Sequence, residues 1–170
     1  MSALSDPRGG RLSARRGGLY VGGFAPEEGI DVLLQALELN PGASVEIATA
    51  GAATAELRRR LQRCAYLVVP GLTYDLQPHA LVMAFAEAVP VIASRLPVFA
   101  DLVEPGRNGL LFDPGSAREL ARRLAWAEAF PEKMRQMGEC AQADYQARFV
   151  ADWNWWRLYG ERRRQSRPHP

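Results

Sequence analysis

A chain of 170 residues of which 48% are apolar can bury one hydrophobic core of ordinary size, and it is too short for a two-domain enzyme. Its apolar runs stay well below the roughly 20 residues that span a bilayer, and its first residues lack the apolar centre of a secretory signal. We therefore expect a cytoplasmic protein without a transmembrane segment.

The formal net charge of +2 is distributed unevenly along the chain. Residues 1–18 carry four arginines and one aspartate, and residues 161–170 carry four arginines and one glutamate. Basic tails attract phosphate-rich partners, but no aromatic residues interleave with these arginines as a stacking surface for bases would require. We therefore expect two solvated tails, 1–18 and 161–170, around one domain at 19–160, and no specific nucleic-acid partner.

The cysteines and histidines provide no recognisable metal or redox motif. Cys64 and Cys140 lie far apart, and the only histidines are His79 and His169. None of these spacings is typical of a zinc site or a disulfide framework. We expect two reduced thiols and no metal.

Short β-favouring runs alternate with helical patterns along the first half of the chain. Strands are predicted at 18–24, 44–50 and 66–71, and helices at 27–40 and 53–65. The second half continues the alternation, with helices at 78–88, 116–130 and 131–149, a helical turn at 97–103, and strands at 89–95 and 108–115. Ser116 and Glu119 have the spacing of a capping box.

Five strands that alternate with helices predict a parallel sheet covered on both faces, because right-handed crossovers place helices on its two sides. The predicted fold is α/β, with one doubly wound, Rossmann-like sheet in the strand order 2-1-3-4-5. In such a sheet the ligand crevice lies at the carboxyl ends of the strands where the winding reverses. Here that point lies between the loops at 22–26 and 71–78.

The segment "YLVVPG" and the run "YDLQPHALVMAFAEAVPVIASRLPVFADLVEPGRNGLLFDPGS" resemble the C-terminal, donor-binding half of family 4 glycosyltransferases of the GT-B fold. Members typically show an acidic-Gly-Phe turn, a helix that ends in Glu-Ala, a "GVPVIAS" strand and "dGrtGlLf". A second stretch, "LYVGGFAPEEGIDVLLQAL", is similar to their opening "lyvGRl.peKGvdvLleAl". The resemblance implies a retaining transferase half that uses a nucleotide-diphosphate sugar without metal or cofactor. An acceptor-binding domain on another chain would complete it.

The resemblance also assigns candidate site residues. In the family, two glutamates eight positions apart contact the transferred sugar and the nucleotide ribose. Asp75 matches the first, as the candidate catalytic carboxylate, and Met83 matches the second, where a thioether cannot replace the ribose contact. The Arg and Lys that neutralise the donor diphosphate in the family correspond to Gly23 and Glu28.

The remaining candidate contacts come mainly from the backbone. Gly22 belongs to the first loop. The backbone from Gln77 through Pro78 and His79 to Ala80 lies at a predicted helix N-terminus, where free N–H groups and the helix dipole favour an anion. Asp101 occupies the family's acidic position after the fourth strand. Between Ala50 and Ala55 the family has a further strand and a loop that contacts the base, which implies that the base platform is missing here.

These departures leave three functional interpretations open. The first is an enzyme half that transfers a sugar when joined by an acceptor domain. The second is a non-catalytic module that binds a partner or, weakly, an anion. The third is a flavodoxin-like signalling domain, which strand order alone suggests and which the lack of paired acids after the first strand disfavours.

The C-terminal stretch "RFVADWNWWRLYGERRR" holds three of the four tryptophans. Phe149, Trp153 and Trp156 recur at helical spacing, and Trp155 and Tyr159 lie on an adjoining face. Such a helix can fold back on its own sheet. Alternatively, its aromatic faces mediate self-association or docking to an acceptor-domain chain, because aromatic residues are enriched in interfaces.

Overall fold

A computed structural model describes residues 15–49, 51, 53–73 and 78–150 of the chain. The predicted basic tails lie almost wholly outside the described residues. The three tryptophans of the C-terminal stretch also lie outside the described residues. Within the described part, no helix is long and apolar enough to cross a membrane.

The described residues form five strands and six α-helices. The strands are β1 (Gly18–Gly22), β2 (Val45–Thr49), β3 (Tyr66–Val69), β4 (Val91–Ser94) and β5 (Gly109–Phe112). The helices are α1 (Ile30–Leu39), α2 (Thr54–Leu61), α3 (His79–Ala86), α4 (Pro97–Ala100), α5 (Ala117–Ala129) and α6 (Pro131–Tyr145). A 3-10 turn at Pro26–Glu28 precedes α1, and a π-helical turn at Gln146–Val150 follows α6.

All strands are parallel, and the sheet has the order β2-β1-β3-β4-β5. Tyr20 of the interior strand β1 pairs with Ile47 of β2 and with Val68 of β3. The predicted fold class and strand order are therefore confirmed. Each element is one to several residues shorter than predicted, because propensity patterns do not define where the last hydrogen bond of an element lies.

The core consists of two apolar layers, one on each face of the sheet. Neighbouring residues of a strand enter opposite layers, as the twofold periodicity of a strand requires: Leu19 and Leu67 pack in one, Tyr20 and Val68 in the other. Helices α2, α3 and α4 cover the first layer, and α1 and α5 cover the second. Helix α6 contributes Met134 to one layer and Ala141 to the other, so it closes the core across both.

The predicted helix at 27–40 is divided in the structure at Gly29. This residue has a φ of 78°, in the left-handed region, and it separates the turn Pro26–Glu28 from α1. A Cβ at position 29 would lie 1.8 Å from the carbonyl oxygen of Pro70. The prediction of a continuous helix was wrong because the approach of the β3 loop, a tertiary contact, demands a glycine here.

The capping box of α5 forms only in part. The Ser116 hydroxyl accepts a hydrogen bond from the Glu119 amide at 3.2 Å, as predicted. The Glu119 carboxylate, however, accepts from the amide of Asp113 at 3.1 Å, and not from that of Ser116. The glutamate thereby connects the end of β5 to the helix that follows.

We expect Gly29→Ala to destabilise the domain by about 3 kcal/mol or more, because it combines left-handed strain with steric overlap against Pro70. Gly106→Ala is the matched control, since Gly106 also has a positive φ, 82°, but its Cβ would meet nothing within 4 Å. That change should cost about 1 to 2 kcal/mol from strain alone. Urea unfolding measures both. Equal losses in the two variants would contradict the role assigned to the Pro70 contact.

Candidate functional site

The carboxyl ends of β1 and β3 form the walls of a crevice. A cavity of ≈ 120 Å³ lies between them, at the edge of the sheet where the strand order reverses. Its lining comes from β1, the turn before α1, β3 and its loop, the start of α3, and α4: Tyr20, Val21, Glu28, Leu67, Val68, Val69, Pro70, Gly71, Pro78, Ala80, Leu81 and Phe99. The cavity thus occupies the position predicted for the ligand crevice.

Tyr20 shapes the loop that leaves β1. Its side chain is buried, and its hydroxyl donates a hydrogen bond of 2.8 Å to the carbonyl oxygen of Gly23. A Cβ at Gly22 would lie 2.5 Å from this hydroxyl oxygen, so the loop can pass over the tyrosine only with glycine there. Burial, and then the negative charge of Glu28, raise the pKa of Tyr20 to about 12. The hydroxyl therefore stays protonated, and remains a donor, even in mildly alkaline solution.

Glu28 sets the charge of the crevice. A Cβ at Gly23 would lie 2.4 Å from Oε2 of Glu28, so the carboxylate occupies the space beside the bare backbone of Gly23. Among the described residues that line the cavity, Glu28 carries the only charge. At the two positions where the resemblance places Arg and Lys, a diphosphate would meet a glycine and a carboxylate.

Two contacts hold the two loops of the crevice together, and a third fixes the β3 loop to the end of β4. Gly29 packs against the carbonyl of Pro70, and the amide of Leu72 donates to the carbonyl of Glu27 at 2.9 Å. Ser94, fully buried at the end of β4, donates its hydroxyl to the carbonyl of Gly71 at 2.7 Å. Sequence reasoning missed Ser94, although a lone hydroxyl at the end of an apolar strand signals a buried polar contact.

The start of α3 contributes backbone to the crevice. Pro78 is buried and lines the cavity, as does Ala80 in the first turn, whereas the side chain of His79 is exposed and does not. Proline has no side-chain acceptor, so it leaves the first N–H groups of the helix uncapped. Asp75 and Gln77 lie outside the described residues.

Two further candidates do not line the crevice cavity. Met83 is half-buried and lines a separate groove of ≈ 210 Å³ with Arg58, Glu87 and Tyr145. Arg58 and Glu87 form an ion pair of 2.7 Å in that groove. Asp101 is exposed and follows α4, and its carbonyl oxygen accepts from Arg148 at 3.4 Å.

The connection between β2 and α2 is short. Only residues 50–53 separate Thr49 from Thr54, which leaves no room for another strand. Among the residues that the structure describes, no group of three His, Cys, Asp or Glu side chains could hold a metal ion.

Solved structures share this fold at low sequence identity. Sucrose-phosphate synthase from Thermosynechococcus elongatus matches with a TM-score of 0.72 and 23% identity over 91% of this chain and 47% of that one. HepE from Anabaena, in complex with UDP and glucose, matches with a TM-score of 0.70 and 18% identity over 86% of this chain and 49% of that one. The chain therefore spans about half the length of these two proteins.

A third structure is itself a single domain. It is the C-terminal domain of LpcC, a glycosyl transferase group 1 family protein from Francisella tularensis, with a TM-score of 0.66 and 14% identity over 85% of this chain and 94% of that one. These likenesses identify the fold as the Rossmann-like C-terminal half of a GT-B structure.

The sequence provides the assignment to a family. No curated protein matches it significantly. The family model for glycosyl transferases group 1 matches residues 40–144, which include four of the five strands and all of the β3 wall of the crevice. The chain belongs to the glycosyl transferases group 1 family.

Proposed function

We propose that this domain, residues 19–160, is the nucleotide-sugar-binding half of a retaining family 4 glycosyltransferase. It would transfer a hexose from a nucleotide-diphosphate donor once an acceptor-binding domain completes the cleft. The crevice at the carboxyl ends of β1 and β3 carries this proposal, because ligands of open α/β sheets bind there. HepE, which shares the fold, holds UDP and glucose.

Each candidate residue has a role in this proposal. Asp75 would contact hydroxyls of the transferred sugar, and the N–H groups of Gln77, His79 and Ala80, on either side of Pro78, would donate to the phosphates. Gly22 would let the donor approach the backbone of the first loop. Asp101, which follows α4, is the second acidic candidate.

An exposed apolar rim supports completion by a second domain. Phe24, on the β1 loop, is 69% exposed, and Leu72, on the β3 loop, is 37% exposed. Both loops border the crevice, and their amide-to-carbonyl bond keeps them adjacent. Apolar side chains around a binding cleft are typical of a surface that another domain covers.

A non-catalytic, partner-binding module is the second candidate, and Glu28 is the observation that favours it. Charged hydrogen bonds contribute about 1.5 to 3 kcal/mol each. Gly23, Glu28 and Met83 stand where the resemblance places an Arg, a Lys and a Glu, so three such bonds to the donor are lost. The loss weakens donor binding on the order of a thousandfold to a millionfold. The crevice cavity of ≈ 120 Å³ is also small beside the roughly 300 to 1,000 Å³ of ligand pockets.

The first prediction for this site is that the wild-type chain binds UDP-, GDP- or ADP-sugars no more tightly than millimolar. The double variant Gly23→Arg, Glu28→Lys should bind at least about tenfold more tightly, because it replaces a repulsive carboxylate with two cations. Glu27→Lys is the matched control, since Glu27 is exposed and does not line the cavity. Calorimetric titration measures all three. Low-micromolar binding by the wild type would show that the site is not degenerate.

The second prediction separates a ligand crevice from an unused one. Asp75→Ala should abolish the remaining donor binding or transfer. Met83→Glu should raise nucleotide affinity if the ribose of the bound donor reaches the groove that Met83 lines. Met83→Gln is the control of equal size without charge. If titrations show unchanged affinity in both Asp75→Ala and Met83→Glu, the crevice is not a donor site, and the partner-binding function gains support.

The third prediction concerns the tryptophan-rich stretch, through which we propose self-association or docking to the acceptor-domain chain. We expect wild-type protein at tens of micromolar to form dimers or larger species by light scattering. The Trp155→Ala, Trp156→Ala variant should be monomeric, because it removes the aromatic anchors. Arg157→Ala serves as the control in the same stretch. A monomeric wild type that also captures no acceptor-domain protein in a pull-down would refute the interface.

A further inference from the structure

A second and larger cavity lies at the opposite edge of the sheet, where the strands begin. Its volume is ≈ 300 Å³. The segment before β1, the residues before β4 and the first turn of α6 form its walls, with Arg15, Arg16, Ala88, Pro131, Glu132 and Arg135 among the lining residues. Arg15 and Arg16 belong to the segment that the composition predicts to be a solvated tail, and the proposed function does not use them.

The charges around this cavity leave an excess of positive charge. Arg135 is held by the Glu132 carboxylate, with its Nε 3.0 and 3.1 Å from the two oxygens, and it also binds Glu139. Arg15 and Arg16 form no ion pair within the described part of the chain. Two cationic guanidinium groups therefore share this cavity without a bonded carboxylate among those residues.

Arg15 is in an unfavourable environment for an unpaired cation. Its Nη1 donates to the carbonyl of Ala88 at 3.3 Å, while its Nε is buried and has no hydrogen-bond partner among the described residues. Burial lowers the pKa of its guanidinium, and the charge of Glu87 only partly offsets this. Glu87 is itself bound by Arg58 at 2.7 Å and by Gln62 at 3.1 Å. A bound anion would offset the desolvation of the arginine.

The start of helix α6 is a third feature that favours a bound anion in this cavity. The helix has 15 residues and begins at Pro131, which lines the cavity, and the residue before it, Phe130, provides no side-chain cap. Its first N–H groups and its dipole therefore favour negative charge at this end.

We propose that this cavity is a binding site for a small phosphomonoester, with Arg15 and Arg16 as the ligands of the phosphate. A phosphate monoester carries a charge of about −1.5 to −2 near neutral pH, which matches two unpaired guanidinium groups better than a single carboxylate does. Guanidinium groups also present paired donors that fit phosphate oxygens. The volume lies at the lower end of the range for small-molecule sites, which leaves room for a small organic group beside the phosphate. This site lies at the edge of the sheet opposite the donor crevice, and it does not depend on the proposed function.

Calorimetric titration of the full chain with glycerol 3-phosphate tests the proposal, with inorganic phosphate as the second probe. Arg16→Ala should weaken binding of glycerol 3-phosphate about tenfold or more, because it removes one charged contact. Arg122→Ala, an exposed arginine of α5 outside the cavity, makes the same change in net charge and should leave affinity unchanged. Glu132→Gln should tighten binding, since it removes the carboxylate from the lining.

Arg15→Lys keeps the charge but not the paired donors of the guanidinium, so it should also weaken binding of glycerol 3-phosphate. Circular dichroism checks the folding of each variant. If Arg16→Ala fails to fold, Arg15→Lys takes its place in the test. Equal losses in Arg16→Ala and Arg122→Ala would overturn the proposal, because they would reflect net charge alone. Absence of binding at tens of millimolar, or binding of inorganic phosphate but not of glycerol 3-phosphate, would overturn it as well.

Discussion

The fit of Gly29 against the carbonyl of Pro70 is the constraint on which the candidate site depends. Only a residue without a side chain can bring the turn before α1 so close to the β3 loop. The left-handed conformation of this glycine also ends the turn Pro26–Glu28 and redirects the chain into α1. As a result Glu28 lies in the crevice beside Gly23, whereas in a continuous helix it would belong to the first turn of α1.

The two edges of the sheet differ in charge as a consequence of local sequence. At the carboxyl ends of the strands, Glu28 gives the described crevice lining a negative charge. At the amino ends, Arg15 and Arg16 precede β1 and face a larger cavity. Among the described residues, the charged lining is therefore negative at the edge where the fold usually binds anions and predominantly positive at the opposite edge.

The apolar core does not depend on the two candidate positions in the first loop of the crevice. Leu19, Val68 and Ile92 are buried in the two apolar layers, and neither layer includes Gly23 or Glu28. Burial of such side chains is the main source of stability in a domain of this kind. The sheet can therefore keep the strand order of the glycosyl transferases group 1 family while the residues at its carboxyl edge change, which is why family membership does not by itself determine activity.

The sequence by itself determined the α/β class, because apolar periodicity is a local signal and crossovers have one hand. The strand order and the place of the crevice followed from the arrangement that doubly wound sheets commonly adopt. It also predicted the contact of Ser116 with the Glu119 amide. Tertiary structure alone decided that Gly29 interrupts a helical pattern, that Ser94 ties β4 to the β3 loop, and that Met83 lines a different groove from Pro78. It also brought Arg15 and Arg16 to the start of α6. These outcomes depend on contacts between residues far apart in the chain, and such contacts leave no periodic signal in the sequence.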